Sequence, residues 1–475
     1  MTPYPFPPRE EIKFQKKEYM KRFLINLCAA VFAIAVMAQN SYDLNAPFGF
    51  CTLSSRTAAN AYDITGGGYY NYPVPDNVSG VVVLKSDGLD MKSTIRNTIN
   101  NDENKIIIFD GSDGDFYVSS NVAITASNKT LLGINNACIR TQWSITDEIK
   151  AALDAAGVPN MSGGSGTGGT LPNGQYVSEE AEYNTRKIIL QMTGDNREIY
   201  RNSGVLTLSG CQNIIIRNIT FVGPGSVDVG GSDLISSIGA NHIWVDHCAF
   251  IDGMDGNFDI TQRADFHTVS WCTFSYTDHS YMHQFTNLIG SSDSEATGYL
   301  NTTFAFNWWA QGCKARMPMA RVGKIHMLNN YFSSTVANNC INPRKNSEFL
   351  IEGNYFENGV KKYYGESDAT AVSWKSDNYI AEGNIPSSKG STVTVPYDYT
   401  VAPYSDVPET VKQYAGATLD FSNPTGISTP ISFSPVIATD YYSISGQRVS
   451  SNTRGISIER KHMSDGTVIN RKIVK

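Results

Sequence analysis

NIIIRNITF, residues 213–221, is followed by HIWVDHCAF at 242–250 and HTVSWCTF at 267–274. Each stretch is a short β-branched or apolar run, a polar break and then an aromatic residue. The pattern continues in TTFAFNWW (302–309), KIHMLNNYF (324–332) and EFLIEGNYF (348–356). The closing aromatics, Phe221, Phe250, Phe274, Trp309, Phe332 and Phe356, stand 29, 24, 35, 23 and 24 residues apart. Polar, Gly-containing turns separate them, with no amphipathic helix between. A period in the low twenties built from short strands predicts an all-β chain wound as a single-stranded parallel β-helix. One turn cannot bury its apolar face alone, so turns stack, with the recurring aromatics about 4.8 Å apart. A β-sandwich would instead show strands every 8–12 residues and hairpin signals such as Asn-Gly, which are scarce here. The longer steps mark loops inserted between turns, where function concentrates.

Working outward, Cys248 and Cys272 each stand two residues before an aromatic. They are expected as stacked, buried thiols rather than a disulfide. NKIIIFDG and SNKTLLGINNACI, within 104–140, fit earlier turns of the same stack. Residues 141–204 break the pattern and read as a surface insertion. SITDEIKAALDAAG is expected as a helix capped by Ser144, with Asp147 completing a capping box and Gly157 at its stop. MSGGSGTGGTLPNG reads as a flexible loop. The β-helix is thus expected over 39–395. A Pro/Thr/Ser-rich stretch, 396–435, serves as linker or last irregular coil, and 436–475 form a small β tail.

The N-terminus reads as an export signal. Met20-Lys21-Arg22 is basic, Phe23 to Met37 is apolar but for Asn26, and Ala38 offers a cleavage position before Gln39. The apolar run is shorter than the roughly 20 residues that span a bilayer, so no membrane span is expected. Residues 1–38 are therefore set apart from the fold. The 475 residues carry a formal charge of −7, which argues against a nucleic-acid binder driven by positive charge. Seven cysteines follow residue 38 without any CxxC spacing, which argues against a zinc site and a dense disulfide framework.

Chemistry concentrates at two places. Asp233 follows Gly230-Gly231-Ser232 in the first long step, and Asp255 and Asp259 frame DGNFD. Stacked turns bring all three to one edge, and an oxygen-only set suits a hard cation, Ca²⁺ before Mg²⁺. A solvated acidic turn is the alternative. CKARMPMARVGKIHMLNNYF (313–332) places Arg316 and Arg321 on either side of Pro318, just before an apolar strand.

HIWVDHCAFIDGMDGNFDIT, SNKTLLG, NIIIRNITFVGPG and RMPMARVGKIHMLNNYF together closely resemble the pectate lyases of polysaccharide lyase family 1. The resemblance covers roughly residues 60–375 without the insertion, and it implies a right-handed parallel β-helix. It implies that Asp233, Asp255 and Asp259 ligate calcium, that Arg316 is the catalytic base, and that Arg321 binds a substrate carboxylate. Trp244 and His247, from the WVDH motif, are expected as structural supports near the cleft. The implied substrate is polygalacturonate, cleaved by β-elimination to a 4,5-unsaturated product, and an arginine base implies an alkaline optimum.

One departure stands out. The family usually carries a substrate-binding lysine a few residues before an LxGS motif, whereas SYTDHSYMHQFTNLIGSS (275–292) has none. Counted forward from Asp259 its equivalent is His279; counted back from Leu288 it is Phe285. His279 or His283 is the expected replacement donor to substrate. The tail stretches YYSISGQRV and GISIERKHMSDGTVINRKIVK are similar to C-terminal sorting domains of type IX-like secretion systems, apart from the inserted HMSDG. Together with the N-terminal signal this implies a secreted or outer-surface monomer that engages export machinery.

Three rival readings remain. A non-catalytic polygalacturonate-binding β-helix could lose the arginines, and a calcium-independent pectin lyase would lose the aspartates. A glycoside hydrolase would need a paired general acid that cannot be nominated here.

Overall fold

The computed structural model describes residues 41–42, 46–161, 167–194, 203–421, 431–432, 436–443, 446–450, 454, 456–463 and 468–474. The chain divides into one compact unit over 46–426 and a second drawn from 1–45 and 427–475. The expected export signal, 1–38, lies outside the described residues.

Three parallel sheets of seven, ten and nine strands form the larger unit. From Val122–Ile124 to Tyr355–Phe356 the chain visits them in the same order on every turn. Ile235–Ile238 lies in the first sheet, Asn241–Asp246 in the second, Ala249–Ile251 in the third, and Phe258–Thr261 returns to the first. Strand pairing is in register between turns, as in Phe221 with Phe250 and Phe250 with Phe274. This is a parallel β-helix. The repeated aromatics stack inside it at centroid distances of 5.4, 5.0, 5.4, 4.8 and 4.4 Å from Phe221 through Phe356. Period-2 alternation turns Phe258 and Ile260 into the core and leaves Asp259 between them on the outer face.

At the bend between the second and third sheets, five successive turns each place one residue at positive φ: Asn218, His247, Trp271, Phe306 and Asn329. Just past the bend a column of side chains runs along the axis. Cys248 and Cys272 begin it as buried free thiols, and Asn307, Asn330, Asn354 and Asn378 continue it. Each buried amide donates to the next, so parallel stacking satisfies polar groups that would otherwise be stranded. Residues 396–421 return along this bend. Asn329 donates to Ala402 O at 2.8 Å, Gly416 N to Trp271 O at 2.8 Å, and Asn218 to Leu419 O at 3.2 Å.

Helix α1 (Lys92–Asn100) lies near the start of the stack. Helices α2 (Asp147–Ala155) and α3 (Glu180–Met192) belong to the insertion. Thr146, not Ser144, caps α2, its side chain accepting from Ile149 N, because the helix starts two residues later than expected. Gly157 takes the left-handed conformation at the helix stop, as its lack of Cβ allows. Of the glycine-rich stretch, 162–166 lie outside the described residues, and Gly169–Thr170 pairs antiparallel with Tyr176–Val177. Helix α4 (Val407–Tyr414) sits in the returning segment. Among the described residues no helix is long and apolar enough to cross a membrane. In the second unit, Val436–Ser443, Ile456–Met463 and Val468–Val474 form an antiparallel three-stranded sheet.

Candidate active site

The connections from the third sheet back to the first carry Asp233, Asp255, Arg316 and His283, whereas Asp259 lies on a strand of the first sheet and Arg321 lies just past another. Asp233 precedes the strand Ile235–Ile238, and Ser236 on that strand is in register with Asp259 of the next turn. Asp233 Oδ2 accepts from Ser236 Oγ at 2.9 Å, while its Oδ1 is shut from solvent with no hydrogen-bond partner. Asp259 Oδ1 accepts from Leu288 N at 2.9 Å. Gly256 lies between the two carboxylates. A Cβ there would stand 2.6 Å from Asp233 Oδ1 and 3.2 Å from Asp259 Oδ1, so only glycine lets both acids into this space. Burial first, and then the negative charge of Asp255, push the Asp233 carboxyl up to about 7. Burial and the neighbouring Asp233 charge raise Asp259 well above the carboxylate range. Like charges held this close in a water-poor space do not all ionise without a countercharge.

Part of that countercharge is Arg316. Its positive charge bears on both Asp233 and Asp259. Its backbone is fixed on two sides, with N donating to Asn339 O at 3.1 Å and O accepting from Asn287 N at 2.8 Å. It is a non-glycine residue at φ 58°, a sparsely populated conformation that persists where its surroundings impose it. The guanidinium lies over the ring of Phe285, 4.5 Å from its centroid. Arg321 stands beyond the strand Met319–Ala320. Its Nε donates to Asp293 Oδ1 at 2.9 Å and its Nη1 to Gly290 O at 3.1 Å.

His283 lies between two acids. Nδ1 is 3.5 Å from Asp228 Oδ1, and Nε2 is 2.9 Å from Asp255 Oδ1 though out of hydrogen-bond alignment. Burial disfavours its imidazolium, but the two carboxylates outweigh that and push it up to about 9. His283 beside it holds Asp228 below its ordinary value, against the opposing effect of burial. His279, by contrast, is exposed, and its backbone N donates to Thr277 Oγ1 at 3.2 Å. Of the two expected replacements for the lysine, only His283 is joined to the acids.

Trp244 and His247 lie on the second sheet and its bend, whereas Asp233 and Arg316 lie on the connections from the third sheet to the first. Trp244 donates to Ser270 Oγ at 3.0 Å, and His247 Nδ1 stands 2.7 Å from Asp246 Oδ2, which also receives Arg217 Nε at 2.8 Å. WVDH thus builds a buried polar cluster supporting the sheet.

The donor set fits a hard cation. Asp233 Oδ1 is a buried, unpaired acceptor, Asp259 faces the same space, and the ligating atoms are all carboxylate oxygens. Among the described residues no three acidic, His or Cys side chains converge closely enough to hold an ion as they stand. Asp255 is the acid turned aside, toward His283. Sequence reasoning missed Asp228 and Asp293. Asp228 sits five residues before Asp233 in GSVDVGGSD, so a second acid on that loop was visible there.

Comparison with known proteins matches residues 172–418, more than half of the chain, to a family model described as pectate lyase. Pectate lyase A of Aspergillus niger is 33% identical over 237 residues, covering 48% of this chain and 69% of that protein. A probable pectate lyase A of Neosartorya fischeri is 31% identical over 263 residues, covering 52% and 77%. A pectate trisaccharide-lyase of a Thermotoga species is 38% identical over 139 residues, covering 27% and 36%. A solved pectate lyase bound to a hexasaccharide is 20% identical, covers 78% of this chain and 99% of that one, and has a TM-score of 0.49.

Proposed function

Taking as premise that this chain belongs to the pectate lyase family and is a polysaccharide lyase, we propose that it cleaves polygalacturonate by calcium-dependent β-elimination. Asp233, Asp255 and Asp259 would hold the ion. The single observation that carries this reading is the buried, unpaired Oδ1 of Asp233, facing Asp259 across Gly256 with the charge of Arg316 bearing on both.

Every sugar of the polymer carries a C6 carboxylate, so removing the adjacent C5 proton builds negative charge beside an existing one. Calcium, when bound, withdraws charge from that carboxylate and acidifies the proton. Arg321 binds a carboxylate through its fork of donors, aimed by Asp293 and Gly290 O. Arg316, having first given a proton to solvent, takes the C5 proton as a neutral guanidine. The electron pair of that bond becomes the C4=C5 double bond, the C4–O bond breaks, and the departing oxygen takes a proton from solvent. No water attacks and no covalent intermediate forms. His283 takes the place of the family lysine as a cationic donor beside the cleft.

The test is the absorbance of the unsaturated uronate on polygalacturonate, with and without chelator. A calcium-dependent rise that chelator abolishes supports the reading. No rise in calcium overturns it, and a rise that survives chelator assigns the activity to calcium-free elimination. The reading includes export, directed by residues 1–38, with the 436–475 sheet serving as a sorting signal. Retention inside the cell of a chain truncated after residue 435 tests that role.

A further inference from the structure

The insertion packs onto the loops that carry the site. Leu153 and Ile189 of its helices share a buried cluster with Val227, Val229 and Met254, which lie beside Asp228 and Asp255. Tyr281 Oη donates to Asp154 Oδ1 at 2.7 Å, and Lys150 Nζ to Asp278 O at 2.8 Å. Both contacts fall on the loop leading to His283.

One charged side chain reaches further. Arg186, on α3, is 8% exposed. Its Nε donates to Val229 O at 2.7 Å, and its Nη2 pairs with Glu182. The guanidinium lies against Gly230, where a Cβ would meet Nη2 at 2.5 Å; Gly230 is also at φ +58°, so that position is closed to side chains on two counts. Both of these contacts are within two residues of Asp228. From there the charges alternate in sign through His283 to Asp255.

We propose that Arg186 is a positioning residue for the lyase site. From the insertion helix it fixes the 228–230 loop, so that Asp228 holds His283 in place against Asp255. This inference rests on the reading of Asp255 as a ligand and His283 as a substrate donor. Removing the guanidinium frees the Val229 carbonyl and leaves Glu182 without its partner. Asp228 then loses the fixed backbone that aims it at His283. Asp233 keeps its own bond to Ser236, so the disturbance reaches the site through His283 rather than through the buried acids.

The experiment uses the full chain with histidine rings labelled with ¹³C, and His283→Gln to assign the His283 signal. Arg186→Met is expected to move that signal and to lower kcat/KM on polygalacturonate by about two- to thirtyfold. Arg186→Lys, which restores charge without the planar fork, is expected to return the signal part of the way. An unmoved His283 signal in folded R186M overturns the proposal. So does a loss in R186M and R186K that follows only their melting temperatures. If the unaltered protein yields no unsaturated product, the reading of function fails, while the ring signal still decides whether Arg186 positions His283.

Discussion

The guanidinium carbon of Arg316 lies 4.5 Å from the centroid of the Phe285 ring. The same ring stands 4.2 Å from that of His283, tilted 50° to it. One aromatic side chain therefore contacts both groups beside Asp233 and Asp259. A cation over a partly exposed ring contributes about 0.5–2 kcal/mol. Phe285→Ala is expected to lower kcat by about three- to thirtyfold with little change in KM. Phe285→Trp should keep most of the rate. Steady-state kinetics check this, and an unchanged kcat in F285A would show that the backbone alone aims the guanidinium.

Phe285 also marks where sequence reasoning reached its limit. The stack was legible because one inward aromatic recurs at each turn, and Phe221 through Phe356 do stack. Asp233, Asp259 and Arg316 were legible because they sit beside strands whose register is set by that repeat. Which histidine stands beside the acids was not, because residues 277–284 form a loop with no strand to count along. Phe285 itself bridges in parallel to Ala315, so the backward count from Leu288 follows the structure better than the forward count to His279. Helix α3 escaped notice because residues 141–204 read as a break in the repeat, with no register to extend.

Ion binding should depend on pH with a definite sign. Asp233, pushed up to about 7 from 3.8, binds its proton more tightly folded than unfolded. In ion-free protein its contribution to stability is greatest below 3.8 and is lost as pH rises to about 7. An ion competes with that proton. Calcium affinity is expected to climb over the same window, with proton release, and to level off above it. Calorimetry in two buffers of different ionisation heat measures both quantities. An affinity flat from pH 4.5 to about 7.5 would contradict the arrangement of these acids.

Asp293 is expected to act through Arg321. The pair is 2.9 Å apart, but the Asp293 side chain is 63% exposed, so solvent screens it. Such pairs contribute about 0–1 kcal/mol. Asp293→Asn should raise KM for polygalacturonate by at most about fivefold and leave kcat nearly unchanged. Arg321→Lys, which loses the bidentate fork, should raise KM further. Equal loss of kcat and kcat/KM in D293N would instead assign Arg321 a contact made only in the transition state.

Asn330 tests the fold independently of the chemistry. Its Nδ2 donates to Phe304 O and to Asn354 Oδ1, both at 2.9 Å. Its Oδ1 accepts from Asn307 N at 2.9 Å and from Asn307 Nδ2 at 3.1 Å. Asn330→Ala strands donors and an acceptor in a water-free interior, each costing about 1–3 kcal/mol, and it opens a small cavity. The column lies at the bend between the second and third sheets, whereas Asp233, Asp255 and Arg316 lie on the return to the first sheet and Asp259 and Arg321 on or just past its strands. N330A should therefore melt well below the unaltered protein, yet keep kcat and KM at temperatures where it remains folded. Thermal unfolding followed by circular dichroism, with kinetics well below the transition, separates the two. Melting at the original temperature would mean that the amide column does not hold the turns together.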